Sequence, residues 1–182
     1  VLPSLYGPIT TTQHQALSSI KLLICDVDGV FSDGRIYMGN QGEELKAFHT
    51  KDGFGIKALL NAGIQVAIIT GRQSKIVENR MSGLGIKHIF QGQSDKTLAY
   101  EQVKQSLAMS DDQCAYIGDD VVDLPVMRSA LLGVAVQDAH PLVLKEADYT
   151  TRTPGGFGAV RELCDLILWA QGQLEQAQGM SV

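Results

Sequence analysis

From Ile20 onward, short apolar runs take turns with longer amphipathic ones, and that alternation leaves the chain few architectures to choose from. The apolar runs are KLLICDV (21–27), IQVAIIT (64–70), KHIF (87–90), CAYIG (114–118) and LLGVAV (131–136). Helical patterns fall at 53–62, 73–83, 95–107, 121–129, 140–146 and 157–177. Strand, helix and strand joined by short links make βαβ units, which build a parallel sheet. A strand buried on both faces reads as an unbroken apolar run, and VAII does so. The expected fold class is therefore α/β with a central parallel sheet. With 182 residues the chain fits one domain, expected over 20–182 after an N-terminal extension at 1–19. Residues 1–10 are set aside from the fold, and 12–19 read as a short helix.

One segment breaks the alternation. Residues 34–50, GRIYMGNQGEELKAFHT, carry β-like runs on either side of GNQGE. That pattern predicts a β-hairpin inserted after the first strand.

Charge and cysteine usage exclude several classes of function. A net charge of -5 gives no basic footprint for nucleic acid or an anionic membrane surface. No apolar run has transmembrane length, and the first twenty residues lack the basic start and apolar block of a secretory signal. Cys25, Cys114 and Cys164 stand far apart without a CxxC, which excludes a disulfide framework and a zinc site. They are expected to be core thiols in a reducing, cytoplasmic setting.

Chemistry gathers where the apolar runs end. Asp26 and Asp28 close the first strand two positions apart, so they point to one side, and Gly29 lets the chain turn. Ligands of open α/β sheets bind beyond the carboxyl ends of the strands. Other strands end in like manner: Thr70, Gly71 and Arg72 follow AII, while Asp119 and Asp120 follow AYIG, with Asp123 one turn further on. Lys96 opens the helix after the third strand. Each feature has an ordinary explanation by itself: a turn, a helix cap, a solvated charge. Together, in chain order on one rim, they describe a site. Clustered carboxylates call for a hard cation, and oxygen ligands suit Mg²⁺. One carboxylate can attack phosphorus, and a second can protonate the leaving alcohol and then activate water. Thr70 and Lys96 can hold the phosphoryl oxygens.

DVDGV, the strand-terminal Thr70, Lys96 and GDDVVD resemble the four motifs of the haloacid dehalogenase superfamily in its phosphatase form. Within it, SDG, FHTKDGFGIK, TGRQS, QGQSDK, YIGDDVVDLP and GGFGAVRE resemble the phosphatases of 3-deoxy-D-manno-octulosonate 8-phosphate, over roughly residues 20–170. The resemblance implies a three-layer Rossmann-like fold and Mg²⁺-dependent hydrolysis of that sugar-acid phosphate in lipopolysaccharide synthesis, through an aspartyl-phosphate. It implies Asp26 as nucleophile and metal ligand, and Asp28 as acid/base that also gives the metal its backbone carbonyl. Asp119 would be the remaining protein ligand, with Asp120 and Asp123 in support. Thr70 and Lys96 would bind phosphate. His49, Thr50, Lys51, Asp52, Gly53, Lys57, Arg72 and Arg80 would meet the sugar acid.

Plainer readings stand beside these. Arg80, mid-helix, is equally compatible with a solvated charge, and His49 with the end of the hairpin. His14, His88 and His140 lack motif context and read as structural, Asp33 as a turn residue before Gly34, and Trp169 as helix core or interface.

About 42 residues separate Asp28 from Thr70 and about 26 separate Thr70 from Lys96, too few for a separate cap domain beside the elements already placed. An oligomer is therefore expected, with hairpins packing together and neighbouring subunits walling each site; the resemblance implies a homotetramer. TPGGFGAVRE (153–162) reads either as a mobile flap hinged at Gly155, Gly156 and Gly158 or as a linker to the last helix. Rival functions remain open at this point. They are a phosphatase for a nine-carbon sialic-acid-type phosphate, a non-catalytic oligomerisation module and a phosphate-storing receiver domain. The intact acids, Thr70 and Lys96 argue against the last two.

Overall fold

The first apolar run lies at the middle of the molecule, because Leu22 to Cys25 are fully buried and find pairing partners on both sides. The structure is a computed structural model and describes residues 1–175. The chain opens with a hairpin of β1 (Leu2–Ser4) and β2 (Gly7–Ile9), then α1 (Thr11–Ser19). The central β3 (Leu22–Cys25) leads through a small antiparallel pair, β4 (Tyr37–Met38) and β5 (Glu44–Leu45), to α2 (Thr50–Asn61) and β6 (Gln65–Ile69). Next come α3 (Lys75–Gly83), β7 (His88–Phe90), α4 (Lys96–Leu107), β8 (Cys114–Gly118) and α5 (Leu124–Ser129). The chain finishes with β9 (Leu132–Ala135), α6 (Pro141–Glu146), β10 (Tyr149–Thr150) and α7 (Ala159–Ala170).

Six strands form one parallel sheet in the order β10-β9-β8-β3-β6-β7. The chain runs outward from β3 to β7, crosses back to β8, and then runs outward the other way. Right-handed crossovers put α2 and α3 on one face and α4 and α5 on the other. The reversal opens a crevice between the carboxyl ends of β3 and β8, where such sheets bind ligands. On one face α7 packs against α2 and α1; on the other, α4 meets α5. Leu163, Leu166 and Ile167 of α7 are fully buried, and burial of each such side chain contributes about 1.5–3 kcal/mol.

The start of α7 is capped from another helix. Its N-cap, Gly158, has φ 117° and no side chain to offer. Asp52, in the first turn of α2, accepts a hydrogen bond from the Arg161 amide at 2.9 Å through Oδ1. Asp52 is 1% exposed, and its Oδ2 is buried without a hydrogen-bond partner. Burial therefore pushes its carboxyl up from 3.8 to about 6. The fold thus holds the Asp52 proton more tightly than the unfolded chain does. Below about pH 4 both states carry the proton and the charge costs nothing; as pH rises to about 6 the folded state loses stability, on the order of 3 kcal/mol. Asp52→Asn keeps the acceptor without the charge. Urea unfolding should find the variant more stable than the parent at pH 7, with the gap closing towards pH 4; parallel pH profiles would refute this.

Most elements lie where the alternation puts them, with instructive differences. Residues 1–10 are part of the structure, and Ile9 and Leu17 are both 2% exposed within the core. Helix α2 starts three residues earlier than its apolar pattern, because His49 Nδ1 accepts the Lys51 amide at 3.1 Å and caps it. The pattern at 121–129 begins as a single 3₁₀ turn, Val121–Asp123. The last helix stops at Ala170, ahead of Gly172 at φ 71°. The part of that expected helix at 176–177 lies outside the described residues. Gly155 and Gly156, two of the expected hinge positions, are closely packed in this structure. A Cβ on Gly155 would fall 1.8 Å from the Gly29 carbonyl oxygen, and the Gly156 amide donates to Val30 O at 2.9 Å. These glycines let residues 155–156 press backbone to backbone on the loop after β3.

The three cysteines are free and buried. His14 packs edge-on against Trp169 at 5.3 Å, and His140 Nδ1 accepts the Leu142 amide to cap α6. Asp33 Oδ1 accepts the Arg35 amide at 2.9 Å around Gly34, an Asx turn. Among the described residues, no helix is long and apolar enough to cross a membrane.

Candidate active site

Sheet pairing continues one residue past β3, where the Asp26 amide donates to Ile117 O at 3.1 Å. This holds Asp26 at the crevice between β3 and β8. The chain then coils tightly, with Val27 O accepting the amides of Val30, Phe31 and Ser32. Asp26, Asp28, Thr70, Arg72, Lys96, Asp119 and Asp120 all line one hollow of about 290 Å³. Two larger hollows, of about 350 and 390 Å³, gather no group of carboxylates, so chemistry rather than size identifies the site.

Beneath the hollow, Asp123 is fully buried and saturated with donors. Its Oδ1 accepts from Lys96 Nζ at 2.7 Å and from the Tyr116 hydroxyl, and its Oδ2 accepts the Asp119 and Asp120 amides at 3.0 and 3.1 Å. Asp123 therefore fixes both the lysine and the turn that carries Asp119. Lys96 Nζ also lies 3.2 Å from Asp26 Oδ1. Burial works against the Lys96 charge, but Asp26 and Asp123 outweigh it and hold its pKa up. Asp119 sits directly over Gly29, where a Cβ would fall 1.9 Å from its Oδ2, and the φ of 86° at that position favours glycine.

The carboxylates are crowded. Asp26, Asp119 and Asp123 each offer an oxygen within 4.8 Å of the others. Burial, followed by the charge of Asp123, raises the Asp26 pKa above the ordinary range. Burial, followed by Asp26, Asp123 and Asp120, raises that of Asp119. An all-oxygen donor set under such repulsion fits a hard divalent cation. Asp123 has its oxygens engaged by four donors, which leaves Asp26 and Asp119 as the side chains suited to hold one. The Asp28 carboxylate has a different partner, with Lys46 Nζ donating to its Oδ1 at 2.7 Å. Lys46 was not visible as a site residue in the sequence. The signal available was the alternation in EELK, which sends Glu44 to Arg72 and Lys46 to Asp28.

Other expected substrate contacts are not brought to this hollow within one chain. His49 caps α2, and Thr50 and Lys51 are exposed beside it. Gly53 is buried in α2, and the Asp52 side chain faces α7 rather than the hollow. Lys57 lines a separate hollow with Gln65, Leu84 and Lys87 at the amino end of β6. Arg80, half-buried in α3, lies close enough to Asp52 for its charge to lower that carboxyl's pKa.

A family model described as haloacid dehalogenase-like hydrolase matches residues 74–160. The chain is 58% identical over 177 residues to the 3-deoxy-D-manno-octulosonate 8-phosphate phosphatase KdsC of Yersinia pestis, covering 97% of this chain and 95% of that protein. It is 54% identical over 181 residues to KdsC of Escherichia coli K12, covering 100% and 96%. A crystal structure of the Yersinia pestis phosphatase superposes with a TM-score of 0.98 at 57% identity, over 100% of this chain and 98% of that one. The phosphatase of Moraxella catarrhalis, solved in complex with magnesium ion, phosphate ion and a KDO molecule, gives 0.89 at 44% identity, over 92% and 97%.

Proposed function

The chain belongs to the 3-deoxy-D-manno-octulosonate 8-phosphate phosphatases of the haloacid dehalogenase-like hydrolases, and from that premise we propose that it hydrolyses this phosphomonoester to the free sugar acid and phosphate, a step of lipopolysaccharide synthesis. The observation that carries the reading is the meeting of Asp26, Asp28, Thr70, Lys96 and Asp119 in one hollow.

In the first half-reaction an Asp26 oxygen attacks phosphorus, and the bond from phosphorus to the sugar oxygen breaks. Asp28 gives its proton to the departing alkoxide, which leaves as the alcohol. The Thr70 hydroxyl and the Lys96 ammonium hold the non-bridging oxygens, in place before charge moves onto them. In the second half-reaction Asp28, now ionised, takes a proton from water as the water oxygen attacks the aspartyl-phosphate. Asp26 is restored and phosphate departs. Mg²⁺, held by Asp26, Asp119 and the Asp28 carbonyl, would neutralise carboxylate and phosphoryl charge when bound. Asp120 and Asp123 support that set. Arg72 at the rim would pair with the substrate carboxylate.

In this reading the chain works without a separate cap, and a second subunit supplies the wall that a cap would give. The hairpin exposes Tyr37, Met38 and Leu45, at 51%, 73% and 62%, an apolar surface suited to other copies of itself. A homotetramer would bring His49, Thr50, Lys51, Lys57 and Arg80, the exposed or half-buried members of the expected sugar-acid set, to a neighbour's site. A light-scattering mass of one chain with full activity would overturn this. Free buried thiols fit action in the cytoplasm.

Phosphate release from a panel of sugar phosphates tests the function. The eight-carbon acid phosphate should be the best substrate with Mg²⁺, and EDTA should abolish turnover until Mg²⁺ is restored. Preference for a nine-carbon acid would change the substrate; no turnover of any member would sink the enzyme reading.

A further inference from the structure

Successive residues of an extended chain point to opposite sides, so Glu44 and Lys46 share one face of the hairpin and Leu45 takes the other. Leu45 is 62% exposed, whereas the Lys46 side chain is 0% exposed. On the inner face, Glu44 pairs with Arg72 beyond β6, and Lys46 Nζ meets Asp28 Oδ1 at 2.7 Å beyond β3. A buried ammonium has given up its water, and a charge-assisted hydrogen bond at this distance is among the stronger returns available to it. Lys46 does not line the hollow itself, so it touches Asp28 rather than the space a substrate would fill.

We propose that Lys46 is a positioning residue for the reaction. By holding Oδ1 of Asp28 it fixes the carboxyl group, and Oδ2 is left to pass the proton to the leaving oxygen and to take one from water. The hairpin thereby becomes part of the proton-transfer machinery, although none of its residues touches the reacting atoms. The inference rests on the phosphatase reading, and its test separates the two. An alkyl phosphate needs a proton on its leaving oxygen, whereas p-nitrophenolate leaves without one. Attack of water on the aspartyl-phosphate is common to both, so loss of Asp28 positioning must fall unequally on kcat/KM, which reports the steps up to release of the leaving group.

Lys46→Met and Lys46→Arg are measured on the sugar-acid phosphate and on p-nitrophenyl phosphate, with thermal melting and light scattering to establish fold and mass. In Lys46→Met, kcat/KM for the sugar phosphate should fall at least about tenfold further than for the aryl phosphate, within the usual range of general acid catalysis. The larger part should lie in kcat, and Lys46→Arg should recover most of it. Equal losses on both substrates, or none, would reduce Lys46 to a structural pin and overturn the inference. If Lys46→Met does not fold, Lys46→Arg alone decides: a smaller loss confined to the alkyl substrate supports positioning, and an even loss refutes it. A parent enzyme inactive on both substrates would instead refute the phosphatase reading.

Discussion

Asp26→Asn is expected to fold, to keep the parent's mass in solution, and to lose turnover by at least about 10⁴-fold, since removal of a nucleophile leaves only binding and electrostatic contributions. The amide is nearly the same shape, and Asp26 is positioned by its backbone: the amide bond to Ile117 O is untouched by the change. What disappears is the carboxylate that attacks phosphorus. The change should not destabilise the cation-free protein much, because it removes one of three acids whose oxygens lie within 4.8 Å of each other. Against that relief stands the lost ion pair with Lys96, which keeps its shorter bond to Asp123. Thermal melting in EDTA should therefore place the variant close to the parent, while phosphate release falls to background. Trapping of acid-stable label from ³²P-substrate should also vanish. Activity within a factor of about ten of the parent would remove Asp26 as nucleophile.

How far the site could be read in advance depended on how local each feature is. Asp26, Thr70 and Asp119 sit at or just past strand ends, and a strand end is visible as the last residue of an apolar run. Parallel topology then forces those ends onto one edge of the sheet, so the hollow followed from a one-dimensional pattern. Lys46 escaped because its partner lies eighteen residues back, and the pairing depends on the direction in which the hairpin folds. The resemblance carried by FHTKDG implies a substrate role for Asp52. Its acceptor role at α7 spans 109 residues, a distance no local pattern reports. The glycines at 155 and 156 illustrate a different ambiguity. Flexibility and close packing both select glycine, and the Gly29 carbonyl 1.8 Å from the would-be Cβ shows that packing by itself already requires it at 155. The two-residue β10 and the β1–β2 hairpin were too short to show a period.

Asp123→Ala should be the most damaging single substitution for stability, although Asp123 touches no substrate in the proposed reaction. The residue is 0% exposed and accepts from four donors. Truncation leaves the Tyr116 hydroxyl proton and two backbone amides short of an acceptor, and Lys96 with Asp26 and the Tyr116 oxygen. Removing one member of a buried ion pair costs about 3–5 kcal/mol, because the other charge stays buried. Relief of repulsion on Asp26 and Asp119 works the other way, against the loss of an acceptor by four donors. Urea unfolding in EDTA should show the loss directly. Where the variant still folds, the freed turn at 119–120 should weaken Mg²⁺ binding about 10–100-fold, the usual consequence of losing a group that orients ligands. Asp123→Asn separates charge from shape. Its carbonyl oxygen can keep the two amides, but its amide nitrogen then faces Lys96 and Tyr116 with a donor where an acceptor stood. It should retain more Mg²⁺ affinity than Asp123→Ala and recover little kcat, since Lys96 is no longer held against the phosphoryl position. A stable, fully active Asp123→Ala would mean that the lysine and the turn are positioned by something other than this carboxylate.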